Sequence, residues 1–200
     1  SGWGFIMPDF ETASFGTYAF DRFTVRKDLI LNAGVRYDHV RTSIHSYRDW
    51  FKTPVSATDS VFKERSEDLR RSFNSLTWSA GVNYSVGQWI LKANVGKSFR
   101  VPIPKELGTD GVNYHIFRYE KGNPGLNPEE SYQLDAGIHW GNDRVTVQFD
   151  PYLNYFPNYI YMNPTPDYYE GLQWYYYTQS RVIRWGFELQ TDWKILPSLD

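Results

Sequence analysis

Residues 122–140 read GNPGLNPEESYQLDAGIHW, and this stretch changes character halfway along. Its first half, residues 122–128, holds two glycines and two prolines, residue types that form turns and, for proline, cannot donate a ladder hydrogen bond. From Tyr132 to Trp140, large or small apolar side chains alternate with polar residues or glycine, which is the two-residue period of a β-strand. The stretch therefore predicts the exit of a loop that leads directly into a strand, Glu129 to Trp140.

The same two-residue period recurs along the chain. Four further segments show it clearly: 29–37, 76–84, 89–99 and 183–193. Residues 144–161 fit another strand, which Pro151 and Pro157 interrupt, and residues 10–23 fit one whose faces the pattern does not assign. We therefore predict an all-β fold, an antiparallel meander of about seven to eight strands.

Composition excludes several classes of protein. The mean hydropathy is −0.56, and no apolar run approaches the roughly 18 residues of a membrane helix. With a net charge of −2, the chain lacks the excess of positive charge that is typical of proteins that bind nucleic acid. The chain has no cysteine, so disulfides and thiolate metal sites are impossible.

The two faces of the strands indicate where the sheet resides. One face of strand after strand is apolar and ends in Trp or Tyr, whereas the other is polar or glycine. Such a sheet suits lipid outside and a polar interior, which is typical of a transmembrane β-barrel with aromatic belts at its interfaces. Lys97 is the one charge on the apolar face of its strand, and we place it toward the outer end, where a charge facing lipid costs least.

The connections alternate in length, as they do in outer-membrane barrels. Short connections fall near 25–28, 86–88, 141–143 and 196–198, and long ones span about 42–73, 101–127 and 162–180. Such barrels have short periplasmic turns and long external loops, so this pattern predicts the direction of every strand. It also brings four aromatic residues to one level beside the short turns, as an interfacial belt requires: Tyr84, Trp89, Trp140 and Trp193.

A combination of motifs resembles the TonB-dependent outer-membrane receptors. Three stretches carry it: LNAGVRYDHV (31–40), GKSFRVPIPKEL (96–107) and FRYEKGNPGLNPEESYQLDAGI (117–138). In that family a strand ends in Phe-Arg-x-Pro, a Glu-Leu pair follows, and after an external loop a Glu-x-Gly-Asn-Pro-x-Leu-x-Pro-Glu stretch opens the next strand. The matching positions are Phe99, Arg100, Pro102, Glu106, Leu107, Glu120, Gly122, Asn123, Pro124, Leu126, Pro128 and Glu129.

The resemblance implies a fold and a function. Family members look like barrels of about 22 strands that enclose an N-terminal plug domain. Residues 1–200 would then be a partial barrel domain without the plug, a section of a receptor. The implied function is uptake of a scarce ligand, such as siderophore-bound iron, haem or cobalamin, with energy from the inner-membrane TonB complex. Outer-membrane lipid would cover the apolar face, and the resemblance implies neither an enzyme nor a cofactor.

The loop at 101–127 supplies one group of candidate ligand-binding residues: Tyr114, His115, Arg118 and Tyr119. His115 with Tyr114 or Tyr119 could ligate a metal ion or haem iron. The alternative is that a single histidine in a polar loop is solvated or hydrogen-bonded. No second histidine stands at a metal-binding spacing, so we predict no metal site.

A second candidate group lies in DYYEGLQWYYYTQ (167–179), predicted to be an external loop. The residues are Tyr168, Tyr169, Trp174 and Tyr176, whose rings suit stacking on a flat ligand. The alternative, which we favour, is that they form the outer aromatic belt or pack the loop on itself. Residues 62–73 are a third candidate, an amphipathic helical turn that meets a ligand through its arginines or is simply a solvated surface.

Two competing functions are open to the sequence. One is a soluble secreted β-protein that binds carbohydrate through its aromatic loops, which requires the tryptophan-rich faces to be buried between two sheets. The other is an outer-membrane barrel enzyme. Against the enzyme, the sequence shows no nucleophile with its base and no paired acids, so we predict no catalytic residues.

Overall fold

The computed structural model describes residues 7–195. Its elements, in chain order, are β1 (Phe10–Arg26), β2 (Leu29–Ile44), β3 (Tyr47–Pro54), β4 (Ser60–Ser66), β5 (Leu69–Val86), β6 (Trp89–Arg100), α1 (Pro104–Gly108), β7 (Asp110–Asn113), β8 (Arg118–Lys121), β9 (Glu129–Gly141), β10 (Val145–Tyr169) and β11 (Leu172–Trp193). Within the described residues, no helix is long and apolar enough to span a membrane.

Nine of these strands form one sheet in the order β1-β2-β5-β6-β9-β10-β11-β8-β7. Its seven long strands pair antiparallel with their neighbours along the chain, which confirms the predicted meander. The short strand β8 instead runs parallel to the outer end of β11. Strands β3 and β4 form a separate hairpin.

The register places like faces together, as predicted. Leu91 lies opposite Ile138 and Asn94 lies opposite Asp135, so apolar residues meet apolar ones and polar residues meet polar ones. The apolar face is open, with Trp185 75% exposed. Within residues 7–195 the only other sheet is the β3–β4 hairpin at the outer ends of the strands. The soluble alternative requires a second sheet over the tryptophan-rich face, and the described residues form none there.

The structure assigns the faces of β1, which the sequence pattern did not. Tyr18 lies opposite Arg36 and Phe20 lies opposite Gly34, so these aromatic side chains belong to the polar face. Gly34 leaves room for the Phe20 ring, since a Cβ there would lie 3.1 Å from the ring. The register, which alternation alone did not reveal, decides the assignment.

The predicted inner belt forms beside the short turns. Trp89 and Trp140 lie directly opposite each other, with ring centroids 6.3 Å apart. Trp193 pairs with Val145 at the same end of the sheet. The predicted short turn at 196–198 lies outside the described residues.

The predicted long loop at 162–180 is wrong. Strands β10 and β11 continue through it and join at Glu170 and Gly171, which both have positive φ. Positive φ at both central residues is the type I′ arrangement that matches the twist of a hairpin. Residues 62–73 are also not helical, because 62–66 lie in β4 and 69–73 lie in β5.

Lys97, the charge on the apolar face, has a partner there. Its Nζ lies 2.6 Å from Oε1 of Glu130 and 5.6 Å from the centre of the Tyr132 ring. All three residues stand near the outer end of β6 and β9. The ion pair with Glu130 and the position near the outer end of the strand together reduce the free-energy cost of placing the Lys97 charge on the apolar face.

The sheet is not closed. Strand β1 has one neighbour, and β11 pairs beyond β10 only at Trp174, Tyr175 and Tyr176, where β8 lies. Both ends of the described sheet therefore present unpaired backbone groups, which a membrane-spanning sheet must satisfy by pairing with further strands.

Candidate functional site

The loop between β6 and β9, residues 101–128, is held to the polar face by an ion-pair network. Arg100 at the end of β6 lies 2.8 Å from a carboxylate oxygen of Glu106 and 3.3 Å from one of Glu129. Glu129 also accepts a hydrogen bond from the backbone N–H of Ile160, at 2.7 Å. Glu106 accepts another from the backbone of Ile103, at 2.9 Å. The Phe-Arg-x-Pro and Glu-Leu motifs are thus joined by one arginine.

An apolar cluster lies beside this network. Its fully buried members are Ile44, Phe73, Leu107, Leu126, Ile160 and Tyr177. Two of them come from the loop and four from the outer ends of β2, β5, β10 and β11. Strand β2 pairs with β5 and β10 pairs with β11, but β6 and β9 lie between these two pairs, so the loop links two pairs of strands that do not touch each other. Burying one such leucine contributes about 1.5–3 kcal/mol.

The glycine- and proline-rich exit of the loop forms most of the backbone bonds that hold it in place. Gly122 donates to the carbonyl of Thr109 and Asn123 donates to that of Glu106, both at 2.7 Å. Arg71 of β5 donates to the carbonyl oxygens of Pro124 and Leu126. The turn-forming residues therefore bend the chain so that its backbone groups meet α1 and β5, and they direct it into β9.

We expect Gly122→Ala to destabilise the packing of the 101–128 loop against the strands. A Cβ at Gly122 would lie 2.7–2.8 Å from backbone atoms of Leu107, Gly108 and Thr109, so the backbone itself would have to move. The expected cost is about 1–3 kcal/mol. Gly125→Ala is the matched control, because the nearest atom to its Cβ is the side-chain oxygen of Asn123, at 3.2 Å. Urea unfolding of the detergent-solubilised receptor, monitored by tryptophan fluorescence, tests the difference, and equal midpoints would contradict it.

Glu120 is the most deeply buried charge of the region, with none of its surface exposed. It lies 2.6 Å from Nζ of Lys105 and 2.9 Å from Nε of Arg118, and it accepts a hydrogen bond from Asn113. Burial alone would raise the pKa of Glu120, but these three partners outweigh it and hold the pKa below its ordinary value. Glu120 thus stays ionised and ties β8 to β7 and α1.

The β3–β4 hairpin reaches across to these elements. Arg65 and Asp49 form a buried ion pair, 2.8 Å between Nε and Oδ2, with side chains 8% and 3% exposed. Nζ of Lys63 lies 4.1 Å above the centre of the Tyr169 ring at the tip of β10. The hairpin, residues 47–66, and residues 101–128 together with the β10–β11 tip form what we call the external cap.

An aromatic stack forms the centre of the external cap. Tyr119 stacks on Trp174 with ring centroids 5.2 Å apart and meets Tyr169 at 4.8 Å. Its hydroxyl donates to Asp110 and accepts a hydrogen bond from Lys63. Burial and the nearby Asp110 carboxylate raise the pKa of Tyr119 far above its ordinary value, so it stays neutral.

The structure divides the predicted ligand-binding residues into three groups. Tyr119 is buried, and Tyr169 and Trp174 are half-buried in the stack. Tyr114, His115 and Tyr168 are exposed at the tips of the cap. The remaining two, Arg118 and Tyr176, are half-buried on β8 and β11. Ligand binding by these residues stays a prediction.

His115 lies in the turn between β7 and β8, and the structure gives its backbone N–H a hydrogen bond to Asn113, at 3.2 Å. The hydroxyl of Tyr119 is hydrogen-bonded to Asp110. Among residues 7–195, no group of three or more His, Cys, Asp or Glu side chains is arranged to hold a metal ion.

Sequence reasoning missed the β3–β4 hairpin as part of the site. Trp50 projects from it and is 73% exposed, and Phe51 meets Trp50 edge-on at 5.6 Å. The signal was an adjacent Trp-Phe pair inside a long polar loop. A tryptophan exposed in an otherwise polar loop is a candidate contact for a ligand or partner.

Comparisons with known proteins agree with this architecture. The family model described as "TonB dependent receptor-like, beta-barrel" matches residues 4–199. No curated protein is significantly similar to the chain in sequence.

Solved structures share the fold. The Serratia marcescens hemophore receptor HasR, solved with its hemophore HasA and heme, superposes with a TM-score of 0.74 at 21% identity, over 95% of this chain and 33% of that one. The copper transporter OprC gives 0.72 at 16% identity, over 96% and 28%. The siderophore receptor PirA of Pseudomonas aeruginosa gives 0.51 at 14%, over 90% and 39%. The chain thus spans between a quarter and two fifths of these proteins.

The family match covers nearly the whole chain, and the two-faced sheet is the kind that the family builds. The apolar outer face, the polar inner face and the external cap all occur in the positions that such a barrel requires. The chain therefore belongs to the TonB-dependent receptor family, as part of the β-barrel that these receptors form in the outer membrane of Gram-negative bacteria.

Proposed function

We propose that this chain is a section of an outer-membrane receptor that takes up a scarce small ligand with energy supplied by TonB. The observation that carries the proposal is the external cap, which family-motif residues anchor to the polar face of an open sheet. An anchored cap above a polar interior suits capture of a ligand outside and its passage through a lumen.

The open edges of the sheet support the further strands that such a receptor needs, and we propose that a plug domain fills the barrel that they complete. Among the described residues, the sheet leaves one edge of β1 and most of the outer edge of β11 without a neighbour. Strands from the rest of the barrel would pair there, and outer-membrane lipid would cover the apolar face. The inner-membrane TonB complex would act on the plug.

The related structures support a ligand of the siderophore, haem or metal class. They are a receptor solved with its hemophore and heme, a copper transporter and a siderophore receptor. We propose that the ligand of this receptor belongs to one of these classes or is cobalamin, which the family resemblance also allows. The chemistry is binding and transport, and no covalent step on the ligand is required.

The test is uptake by the intact receptor that contains this chain. It would be expressed in an iron-starved Gram-negative host, with and without a functional TonB protein, and supplied in turn with ferric siderophores and haem. We expect growth on at least one source only when TonB is functional, and parallel cultures with labelled cobalamin and copper extend the test to those ligands. Cells carrying an empty vector provide the baseline. Absence of TonB-dependent uptake for every ligand would overturn the proposal.

A further inference from the structure

The outward, apolar face of β2 and β5 becomes polar at one level toward the outer ends of the strands. On β5 its apolar run ends at Leu76 and Asn74 follows on the same face, and on β2 the run ends at Tyr37 and His39 follows. His39 lies opposite Asn74, so both strands change at the same place. The side-chain oxygen of Asn74 is hydrogen-bonded to the Tyr37 hydroxyl and to Nδ1 of His39, at 2.8 Å each.

This polar boundary marks the outer edge of the hydrocarbon layer. Asn74 stands ten residues along β5 from Tyr84 of the inner belt, and a tilted strand needs about 9–11 residues to cross a bilayer. Lipid head groups occupy about a further 5–8 Å on each side of the hydrocarbon. Residues two to four positions beyond Asn74 rise about 5–10 Å above it in a strand tilted by about 40°, so they lie at the level of the head groups.

Two arginines of the outward face occupy that level. Arg41 lies opposite Ser72 and Arg70 lies opposite Ser43, so the two arginines are diagonal neighbours on adjacent strands, a spacing of about 7–8 Å. Both side chains are exposed, and among residues 7–195 neither guanidinium forms an ion pair. Two like charges held this close without a counter-ion form a place that favours an anion.

The carboxylates of this region leave the level of the two arginines positive. Glu11 of β1 is on the same face, one strand away from Arg41 and two strands away from Arg70. It is the one acidic residue that β1, β2 and β5 place on the outward face at this level, against two arginines. Three other acids lie beyond the outer ends of β1 and β5, farther from the bilayer: Asp9, Glu67 and Asp68.

Strand β11 repeats the placement of an outward arginine. Arg181 stands twelve residues along β11 from Trp193 of the inner belt and shares the face of Ile183. Its side chain is exposed, and it forms no ion pair with any residue from 7 to 195. The level at which Arg41 and Arg70 stand therefore carries an unpaired arginine in a second part of the sheet.

We infer that Arg41 and Arg70 bind phosphate groups of a glycolipid in the outer leaflet of the outer membrane. The fork of a guanidinium matches phosphate oxygens in a bidentate geometry, and clusters of basic side chains at a membrane surface bind anionic head groups. The occupant is a lipid and not a free anion, because Tyr37 and Leu76, 42% and 53% exposed directly below the arginines, offer apolar surface to its acyl chains. This lipid site is separate from the capture of a transported ligand.

The experiment is native mass spectrometry of the intact receptor in detergent, titrated with a lipid A that carries two phosphates. The reference probe is the same lipid with both phosphates removed, which we expect to bind about tenfold more weakly. The double variant Arg41→Gln with Arg70→Gln should weaken binding of the phosphorylated lipid by about tenfold as well. Glu11→Gln should strengthen binding, because it removes the carboxylate that faces the same level.

Arg144→Gln is the matched control. Arg144 is also an exposed arginine, but it lies in the turn between β9 and β10 at the inner end of the strands, where a lipid of the outer leaflet does not reach. Its substitution should leave lipid binding unchanged. Heat-modifiable migration on gels checks that every variant is a folded barrel, which we expect because all of the substituted side chains are exposed.

Three results would overturn the inference. The first is that the double variant binds the phosphorylated lipid as tightly as Arg144→Gln does. The second is that the phosphate-free lipid binds as tightly as the phosphorylated one, which would assign the binding to acyl contacts alone. The third is that inorganic phosphate binds the unmodified receptor as tightly as the lipid and does not bind the double variant, which would assign the arginines to a free anion.

Discussion

Leu134→Arg is expected to block assembly of the barrel in the membrane. Leu134 lies on the apolar face, between Val95 and Leu153 in the ladders on either side, and is exposed there. An arginine facing lipid near mid-membrane lowers the free energy of unfolding by about 2–4 kcal/mol. Folding of the intact receptor into phosphatidylcholine vesicles, followed by heat-modifiable migration on gels, measures the loss.

The neighbouring residue provides the control. Gln133 lies opposite Gly96 and Asn154 on the polar face and is also exposed. Gln133→Arg introduces the same side chain one position away but directs it to the lumen, so the yield of folded barrel should stay close to that of the unmodified receptor. Equal losses for the two variants would contradict the face assignment.

Asp49→Ala is expected to release the β3–β4 hairpin from the external cap. Without its carboxylate, Arg65 keeps a buried guanidinium whose remaining neighbour is the carbonyl of Asp110, at 3.5 Å. Breaking a buried ion pair from one side costs about 3–5 kcal/mol. Hydrogen exchange of residues 47–66 in the detergent-solubilised receptor should accelerate strongly, whereas exchange in β9 should not change.

Two further variants define the cause of that effect. Asp59→Ala makes the same change at an exposed position of the same hairpin, and its exchange should match that of the unmodified protein. The double variant Asp49→Ala with Arg65→Met removes both charges and should recover much of the protection, since an apolar replacement of a buried pair is often neutral. Rapid exchange in the double variant would attribute the effect to lost packing instead.

The fold of the membrane-spanning part could be predicted from local pattern. Side chains of a strand point alternately to its two sides. The alternation of apolar residues with polar residues or glycine at 132–140, at 89–99 and in the other clear segments therefore indicates which residues share a face. The prolines at 151 and 157 did not end β10, although the ladder to β9 skips Asp150 and Pro151. Proline lacks the donor that this ladder needs.

The external cap could not be predicted in the same way. The tyrosine-rich segment around Glu170 was expected to be a loop, yet it is a hairpin whose strands continue past the membrane. Its strands are set by pairing between β10 and β11 and by contacts from Lys63 and Tyr119, which come from distant parts of the chain. Aromatic residues suit strands and loops equally, so composition did not distinguish them.

The sequence by itself determined the class of the protein, the two faces of its clearly alternating strands and its family, since these depend on period and on motif residues that are neighbours along the chain. Only the tertiary structure decided what the motif residues do. Arg100 meets Glu106 and Glu129, and Leu126 meets Ile44, through contacts that bring together residues far apart in the sequence. It also decided that Tyr119 is buried and that Trp50 is exposed, because burial depends on which distant segments pack against a side chain and not on the residue type.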